Sequence, residues 1–566
     1  MLQGHVSGDA LMDRHGGQIL VDQLKLHGVD RAFCVPGESF LAALDGLYES
    51  GIETVVARQE GGAAMMAEAD GKLTGRPGVL FVTRGPGATN AAAGLHVAMH
   101  DGTPLVAFVG QIPRGFAGRG AFQEVDFPAF FAPLVKWSAE IGDTARLPEF
   151  IARAFRVATS GRPGPVVLSL PEDMLSARAR VADLGPAAPS PLPDHRAFAA
   201  QALSRLRRAA RPLIVAGGSG WSQAAADDLA QLSAALDVPV AVPFRRQDYL
   251  DNRDPGYCGD LGVGQNPALG RLLSEADAVL ALGTRLGETA TSGYTLLAPE
   301  TPQPQLIHVH PDPSEIGRVY TPGLGYVAPA AEVLRALTAA AGPAMAATPR
   351  RAAARALYEA WQSPAETPGA LKLEAVVASL SETLPEDAIV TNGAGNYAAW
   401  LHRYFRFKRF GTQLAPTSGS MGYGLPAAIA AGLRHPDRPV LCLAGDGCLQ
   451  MTVNELSTAA QYGVNLTVLV VNNGRYGTIR MHQERHYPGR VSGTDLYLPN
   501  IPDLARAYGG TGETLRTSAE AGPAISRALR ARGVSLIELV TDPQALSTSQ
   551  TLDAVRSAGQ VAPIRS

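Results

Sequence analysis

Residues 445–473 read GDGCLQMTVNELSTAAQYGVNLTVLVVNN, and the five residues before them, 440–444, are the apolar run VLCLA. A run of that length fits a buried strand ending in a Gly-Asp-Gly turn. The pattern after it predicts a helix over 453–462 and a second strand over 465–471 that closes on Asn472 and Asn473. A βαβ unit of this length sets two parallel strand ends side by side, so Asp446 and Asn473, 27 positions apart, point into one pocket. One carboxylate and one amide oxygen suit Mg²⁺ shared with phosphate oxygens. The glycines let backbone N–H groups and the following helix start face a diphosphate.

The same grammar recurs outward from this stretch. GVLFVT (78–83) runs into Arg84-Gly85-Pro86-Gly87, and PLIVA (212–216) into Gly217-Gly218. Strands that are apolar throughout and alternate with helices predict parallel sheets covered on both faces, with ligands at the carboxyl strand ends. Two Pro- and Ala-rich stretches, 184–195 and 342–369, read as linkers, the second enclosing a short helix around 351–361. They divide the chain into three similar doubly wound α/β domains, placed at 1–185, 196–341 and 370–550.

Composition narrows the function class. A length of 566 residues with 46% hydrophobic and 18% charged residues excludes a disordered or small stapled chain, and a net charge of -3 leaves no basic face for nucleic acid. The 61 glycines read as turns where backbone approaches a ligand. Four cysteines without a C-x-x-C pair give neither a zinc knuckle nor a disulfide framework and fit a reducing compartment. Residues 1–14 lack the basic and apolar parts of a signal peptide, and no run of about 18 apolar residues spans a membrane, so the expectation is a cytoplasmic protein. His96 and His100, four apart on an Ala-rich helix, lack a third ligand and read as packing or surface residues.

Glu60 stands at the end of an apolar run, before Gly61-Gly62 and an Ala/Met-rich helix; alone, it reads as an acid favoured at a helix start. Three segments taken together say more: RQEGGAAMMAEADGKLTGRPGVLFVTRGPGATN (58–90), GSMGYGLPAAIAAG (419–432), and GDG followed after 24 residues by NN. In that order they resemble thiamine diphosphate enzymes of the acetolactate synthase group, from about residue 13 to 542.

The resemblance implies pyrimidine-binding, central and diphosphate-binding domains, a homodimer that in some relatives doubles to a tetramer, and thiamine diphosphate with Mg²⁺ as cofactors. It implies that a carboxyl at Glu60 hydrogen-bonds the pyrimidine N1′, that Met421 props the cofactor, and that the Gly419 carbonyl receives its amino group. Asp446, Asn473 and the backbone of Arg475 would bind Mg²⁺. Gly395, Asn396, Tyr397, Gly445, Gly447, Cys448, Tyr476, Gly477 and Thr478 would surround the diphosphate. The implied activity is decarboxylation of a 2-oxo acid such as pyruvate and transfer of the acyl carbanion equivalent to a carbonyl acceptor. Phe122, Gln123 and Lys136, in residues 110–137, match a channel loop, and Arg285 matches an arginine that holds the acceptor's carboxylate.

The chain also departs from the synthases. Arg285-Leu286-Gly287-Glu288-Thr289 replaces Arg-Phe-Asp-Asp-Arg, a segment with flavin contacts, and Gly217-Gly218-Ser219-Gly220 does not complete G-x-G-x-x-G, so FAD stays open. His482 stands where synthases have a tryptophan, a few residues beyond Ile479, in the acceptor pocket. Glu38 replaces a glycine and occupies the place of an acid in several 2-oxo acid decarboxylases, where it would relay protons. A decarboxylase, or a lyase of 2-hydroxy ketones or 2-hydroxyacyl thioesters, is the alternative these two residues keep open.

Overall fold

The computed structural model describes residues 12–188, 193–343 and 348–561. The stretch read as lacking a signal peptide lies largely outside them, as do parts of both linkers. The chain divides into two compact units, Met1–Pro191 and Leu192–Ser566. The first holds one six-stranded parallel sheet and the second holds two.

In the first unit the sheet runs Glu53–Val56, Arg31–Cys34, Gly78–Val82, Leu105–Gln111, Pro165–Pro171, Trp137–Glu140. In chain order that is second, first, third, fourth, sixth, fifth. The third, fourth and sixth strands are buried at every position, which is why the third reads as an unbroken apolar run and the other two are broken only by Gln111 and Ser169. Helices Glu60–Thr74 and Pro86–Asp101 lie close together because both carry small residues: a Cβ on Gly94 would fall 2.4 Å from that of Ala64. Part of the glycine excess therefore serves helix packing rather than ligand turns.

The second unit contains Tyr257–Leu261, Val240–Pro243, Pro212–Ala216, Ala278–Leu282, Gln303–His310, Pro322–Val327 as one sheet. Its other sheet is Gln413–Leu414, Ile389–Asn392, Val440–Gly445, Leu466–Asn472, Val534–Val540, Thr511–Leu515. The last sheet repeats the strand order of the first unit. The central one is third, second, first, fourth, fifth, sixth, so the three sheets are two of one topology and one of another. The linker helix is present as Arg350–Gln362.

Between the two sheets of this unit the loop after Val240–Pro243 is anchored by polar groups. The buried Asp248 carboxylate accepts N–H groups from Gly411, Thr412 and Gln413 at 2.9–3.2 Å. Arg245, buried and with φ +61°, donates to the Pro416 carbonyl at 2.6 Å, which fixes the segment leading to Gly419. All four cysteines are buried and unbridged. No helix among the described residues is long and apolar enough to cross a membrane.

Candidate active site

In the C-terminal sheet the chain runs from the strand Ile389–Asn392 to the edge strand Gln413–Leu414 and then returns on the other side as Val440–Gly445. This reversal opens a crevice beyond the carboxyl ends of the first and third strands, the place where doubly wound sheets hold ligands. A cavity of about 230 Å³ lies there. It is lined by Gly395, Asn396, Tyr397, Gly419, Met421, Gly445, Asp446, Gly447, Cys448, Asn473, Arg475, Tyr476, Gly477, Thr478 and Ile479, so every residue expected around the diphosphate and metal meets at one place. Ala394 and Val471 line it too and carried no signal in the sequence.

The strand runs through Gly445, and Asp446 already opens a short helix, Asp446–Gln450, where a turn was expected. The predicted helix over 453–462 is a 3-10 turn, Val453–Glu455, continuing as Leu456–Gln461. Asp446 Oδ1 accepts the Gly447 N–H at 2.7 Å, and Oδ2 accepts those of Gly474 at 2.8 Å and Asn473 at 3.2 Å. Burial pushes this carboxyl up, against the pull of those N–H groups. Asn473 Oδ1 accepts the Arg475 N–H at 3.1 Å, placing both oxygens on one turn.

The walls fit a diphosphate and a hard cation. A Cβ on Gly445 would lie 2.8 Å from the Tyr397 ring, and one on Gly447 would lie 2.7 Å from the Tyr476 ring, so only glycine leaves this floor open. Tyr397 is committed to structure: its hydroxyl donates to Cys448 Sγ at 3.2 Å and accepts the Gly393 N–H at 3.1 Å. Cys448 Sγ also receives the Gly422 N–H. Asn396 accepts from the Thr478 hydroxyl at 2.8 Å and donates to the Leu546 carbonyl at 2.6 Å.

The helix Gly477–His486, which starts at the cavity, is held by a residue the sequence did not single out. Glu484, fully buried, receives both arms of Arg556 at 2.8 and 2.9 Å, Arg480 at 2.8 Å and the Gly489 N–H at 2.8 Å. These partners, Arg556 first, bring its carboxyl from 4.5 down to about 2. A folded-state value below the ordinary one means stabilisation that is complete above the ordinary carboxyl range and is lost as the pH falls toward the lower value. Glu484→Gln is expected to lower unfolding free energy by about 2–3 kcal/mol at neutral pH. The deficit relative to wild type should shrink in acid; urea titrations across pH in which it stays constant would contradict this assignment.

In the first unit the corresponding crevice lies between Arg31–Cys34 and Gly78–Val82. Glu60 begins the helix Glu60–Thr74, whose start is capped by the Gln59 side chain, and it is half-buried rather than buried. Its Oε2 accepts from Asn90 at 2.9 Å. Glu38 follows the first strand and pairs with Arg84 at 3.1 Å. Gln123, with φ +64°, reaches the turn after the third strand: a Cβ on Gly85 would meet its Cβ at 2.7 Å. Phe122 beside it is 74% exposed.

Lys136 does not join them. It precedes the strand Trp137–Glu140 and so sits at the amino edge of the sheet, opposite the crevice. Its Nζ donates to the Val157 and Ser160 carbonyls at 2.5 and 2.6 Å, closing the end of the helix Leu147–Thr159, so the expectation that it lines a substrate channel is corrected.

Comparison with known proteins now bears on both crevices. Residues 14–130, 199–337 and 393–539 match the family descriptions "Thiamine pyrophosphate enzyme, N-terminal TPP binding domain", "central domain" and "C-terminal TPP binding domain". The acetolactate synthase large subunit of Parasynechococcus marenigrum is 32% identical over 528 residues, covering 90% of this chain and 84% of that protein. The acetolactate synthase isozyme 2 large subunit of Escherichia coli is 30% identical over 532 residues, covering 93% and 96%. The chain belongs to the acetolactate synthase-like thiamine pyrophosphate enzymes.

Within this thiamine pyrophosphate enzyme the remaining expected residues scatter. Ile479 is at the cavity mouth and 53% exposed. His482, one turn on, is largely exposed, outside the cavity lining, and stacked on His486 with ring centroids 6.2 Å apart; the loss of part of its hydration, then Arg485 and His486, lower its pKa. Arg285 is exposed in the loop after Ala278–Leu282 and does not line the cavity.

The central sheet has the strand order of dinucleotide-binding folds, and its switch-point turn is tied to two aromatic side chains. Trp221 Nε1 donates to the Gly217 carbonyl at 2.8 Å and the Tyr249 hydroxyl to that of Gly218 at 2.6 Å, with the two rings 5.0 Å apart over the turn. A Cβ on Gly218 would fall 2.0 Å from the Gly283 carbonyl oxygen, so these glycines pack strand end against strand end.

Proposed function

We propose that this chain is a thiamine diphosphate- and Mg²⁺-dependent carboligase that decarboxylates a 2-oxo acid such as pyruvate and joins the acyl fragment to a carbonyl acceptor. The observation that carries the reading is the meeting of Asp446, Asn473 and the glycine floor at the switch point of the C-terminal sheet. When bound, thiamine diphosphate supplies a nucleophilic thiazolium carbon and an electron sink. The chain's own part is to hold Mg²⁺ through Asp446, Asn473 and the Arg475 carbonyl, seat the diphosphate on Gly445 and Gly447, and offer the Glu60 carboxyl to the pyrimidine. The homodimer or homotetramer implied by the family belongs to the same proposal, as do domain bounds at 1–185, 196–341 and 370–550 and a cytoplasmic setting, which four unbridged cysteines support.

Incubation of the Mg²⁺- and cofactor-loaded protein with pyruvate, with and without an aldehyde, tests the reading. The expected product is a ligated 2-hydroxy ketone or 2-hydroxy acid. Free acetaldehyde without any ligated product would replace the carboligase by the decarboxylase.

A further inference from the structure

Arg84 has no part in the function proposed above. It stands two residues after the strand Gly78–Val82, at the switch point of the first unit's sheet, and is 8% exposed. Nη2 donates to Glu38 Oε1 at 3.1 Å, Nη1 donates to Glu172 Oε2 at 3.0 Å, and Nε is buried without a partner. Glu38 follows the first strand, and Glu172 opens the helix Glu172–Ser176 directly after Pro165–Pro171. One guanidinium thus ties together the carboxyl ends of three strands.

The arrangement is poor as a stabilising device. A buried arginine with an unmet N–H carries a desolvation cost, and apolar side chains of similar volume serve stability as well or better. It is well built for aiming a carboxylate. The Glu38 side chain is 66% exposed against 10% for Arg84, so the pair has a fixed end and an open end. Its loop is seated tightly: a Cβ on Gly37 would fall 2.4 Å from Thr83 Cβ, and Ser39 Oγ meets Thr83 Oγ1 at 2.8 Å. On the other side of Thr83, a Cβ on Gly87 would lie 2.7 Å from Thr83 Cγ2 and 3.3 Å from Glu60 Oε1. Gly37, the neighbour of Glu38, and Gly87, which lies beside Glu60, therefore both pack against Thr83. Arg84 is the cation facing Glu38; Glu172, across the guanidinium, and Glu60, beyond Thr83, are the neighbouring acids.

We propose that Arg84 is a positioning residue which, braced by Glu172, fixes the Glu38 carboxyl at the crevice so that Glu38 delivers the proton consumed in each turnover. This rests on the carboligase reading. Loss of CO₂ from a 2-oxo acid carboxylate leaves an electron pair on the acyl fragment. That pair forms the new C–C bond to the acceptor's carbonyl carbon, the C=O π electrons move to its oxygen, and that oxygen takes a proton. The sum is RCOCOO⁻ + R′CHO + H⁺ → RCOCH(OH)R′ + CO₂. The proton leaves Glu38, whose carboxylate is then stabilised by Arg84, and water restores it.

The test uses the full chain as Arg84→Met, Glu38→Gln and the double variant. Each single change is expected to lower kcat by about a hundredfold while Kd for thiamine diphosphate stays within about twofold. The double variant should be no slower than Glu38→Gln alone, since one residue acts through the other. Arg84→Lys should recover part of the loss, because an ammonium reaches one carboxylate but not both; if Arg84→Met does not fold, this variant takes its place. An unchanged kcat in Arg84→Met, or losses that multiply in the double variant, overturns the proposal.

A second measurement needs no turnover. In a crystal structure of cofactor-loaded Arg84→Met the Glu38 carboxyl should leave the position that Arg84 Nη2 gives it, while the loop seated on Thr83 stays in place. A Glu38 carboxyl held in the wild-type position overturns the role of Arg84, whereas a wild type that yields neither CO₂ nor ligated product overturns the carboligase reading instead.

Discussion

Asp446→Asn should weaken binding of thiamine diphosphate in the presence of Mg²⁺ by at least about a hundredfold, equivalent to roughly 2.7 kcal/mol. Two losses add. The cation loses the one negative charge among its expected protein ligands, and the amide cannot reproduce the hydrogen bonds of the carboxylate. Oδ1 and Oδ2 both accept backbone N–H groups, from Gly447 on one side and from Asn473 and Gly474 on the other. Whichever way the amide is turned, its NH₂ faces an N–H donor, and leaving such a group unmet costs about 1–3 kcal/mol. Asn473→Ala removes a neutral ligand and one acceptor for the Arg475 N–H, so its loss should be smaller. Titration calorimetry at fixed Mg²⁺ ranks the two variants. Equal affinity in Asp446→Asn and wild type would exclude Asp446 as a metal ligand.

The diphosphate half of the site was legible because it is built from local sequence. The apolar runs ending at Gly445 and Asn472 are buried parallel strands, and their separation in sequence is that of one βαβ unit, so the meeting of Asp446 and Asn473 follows from chain geometry. Strand order was not legible. Nothing in residues 212–216 distinguishes a central sheet of different topology from its neighbours, or announces that Trp221 and Tyr249 cover the turn. A motif match does not locate Lys136; as the residue before a strand it belongs to the amino edge. Locally Glu484 shows only an i,i+4 pair with Arg480 of the kind found on solvated helices, since the partner that buries it, Arg556, lies 72 residues on. The pairing of Glu38 and Arg84, 46 residues apart on loops of adjacent strands, likewise needed the sheet order to become visible.

Glu60→Gln should lower kcat by about 10²–10⁴-fold while leaving cofactor affinity within a few-fold of wild type. The size of the effect separates two roles that the position alone does not. As the first residue of the helix Glu60–Thr74, a glutamate interacts with the helix dipole, a contribution of about 0.3–1 kcal/mol that glutamine forfeits in full. A hundredfold loss of rate corresponds to about 2.7 kcal/mol and cannot arise from that source. Glutamine is of the same size and its amide oxygen can still accept the Asn90 donor, so the local structure is expected to persist. What it lacks is a carboxyl proton to share with a pyrimidine nitrogen. The direct reading is hydrogen–deuterium exchange at the thiazolium carbon of the bound cofactor, followed by quenched-flow NMR. Slow exchange with an unchanged melting temperature assigns Glu60 to cofactor activation, and exchange at the wild-type rate would leave it as a first-turn acid facing the helix dipole alone.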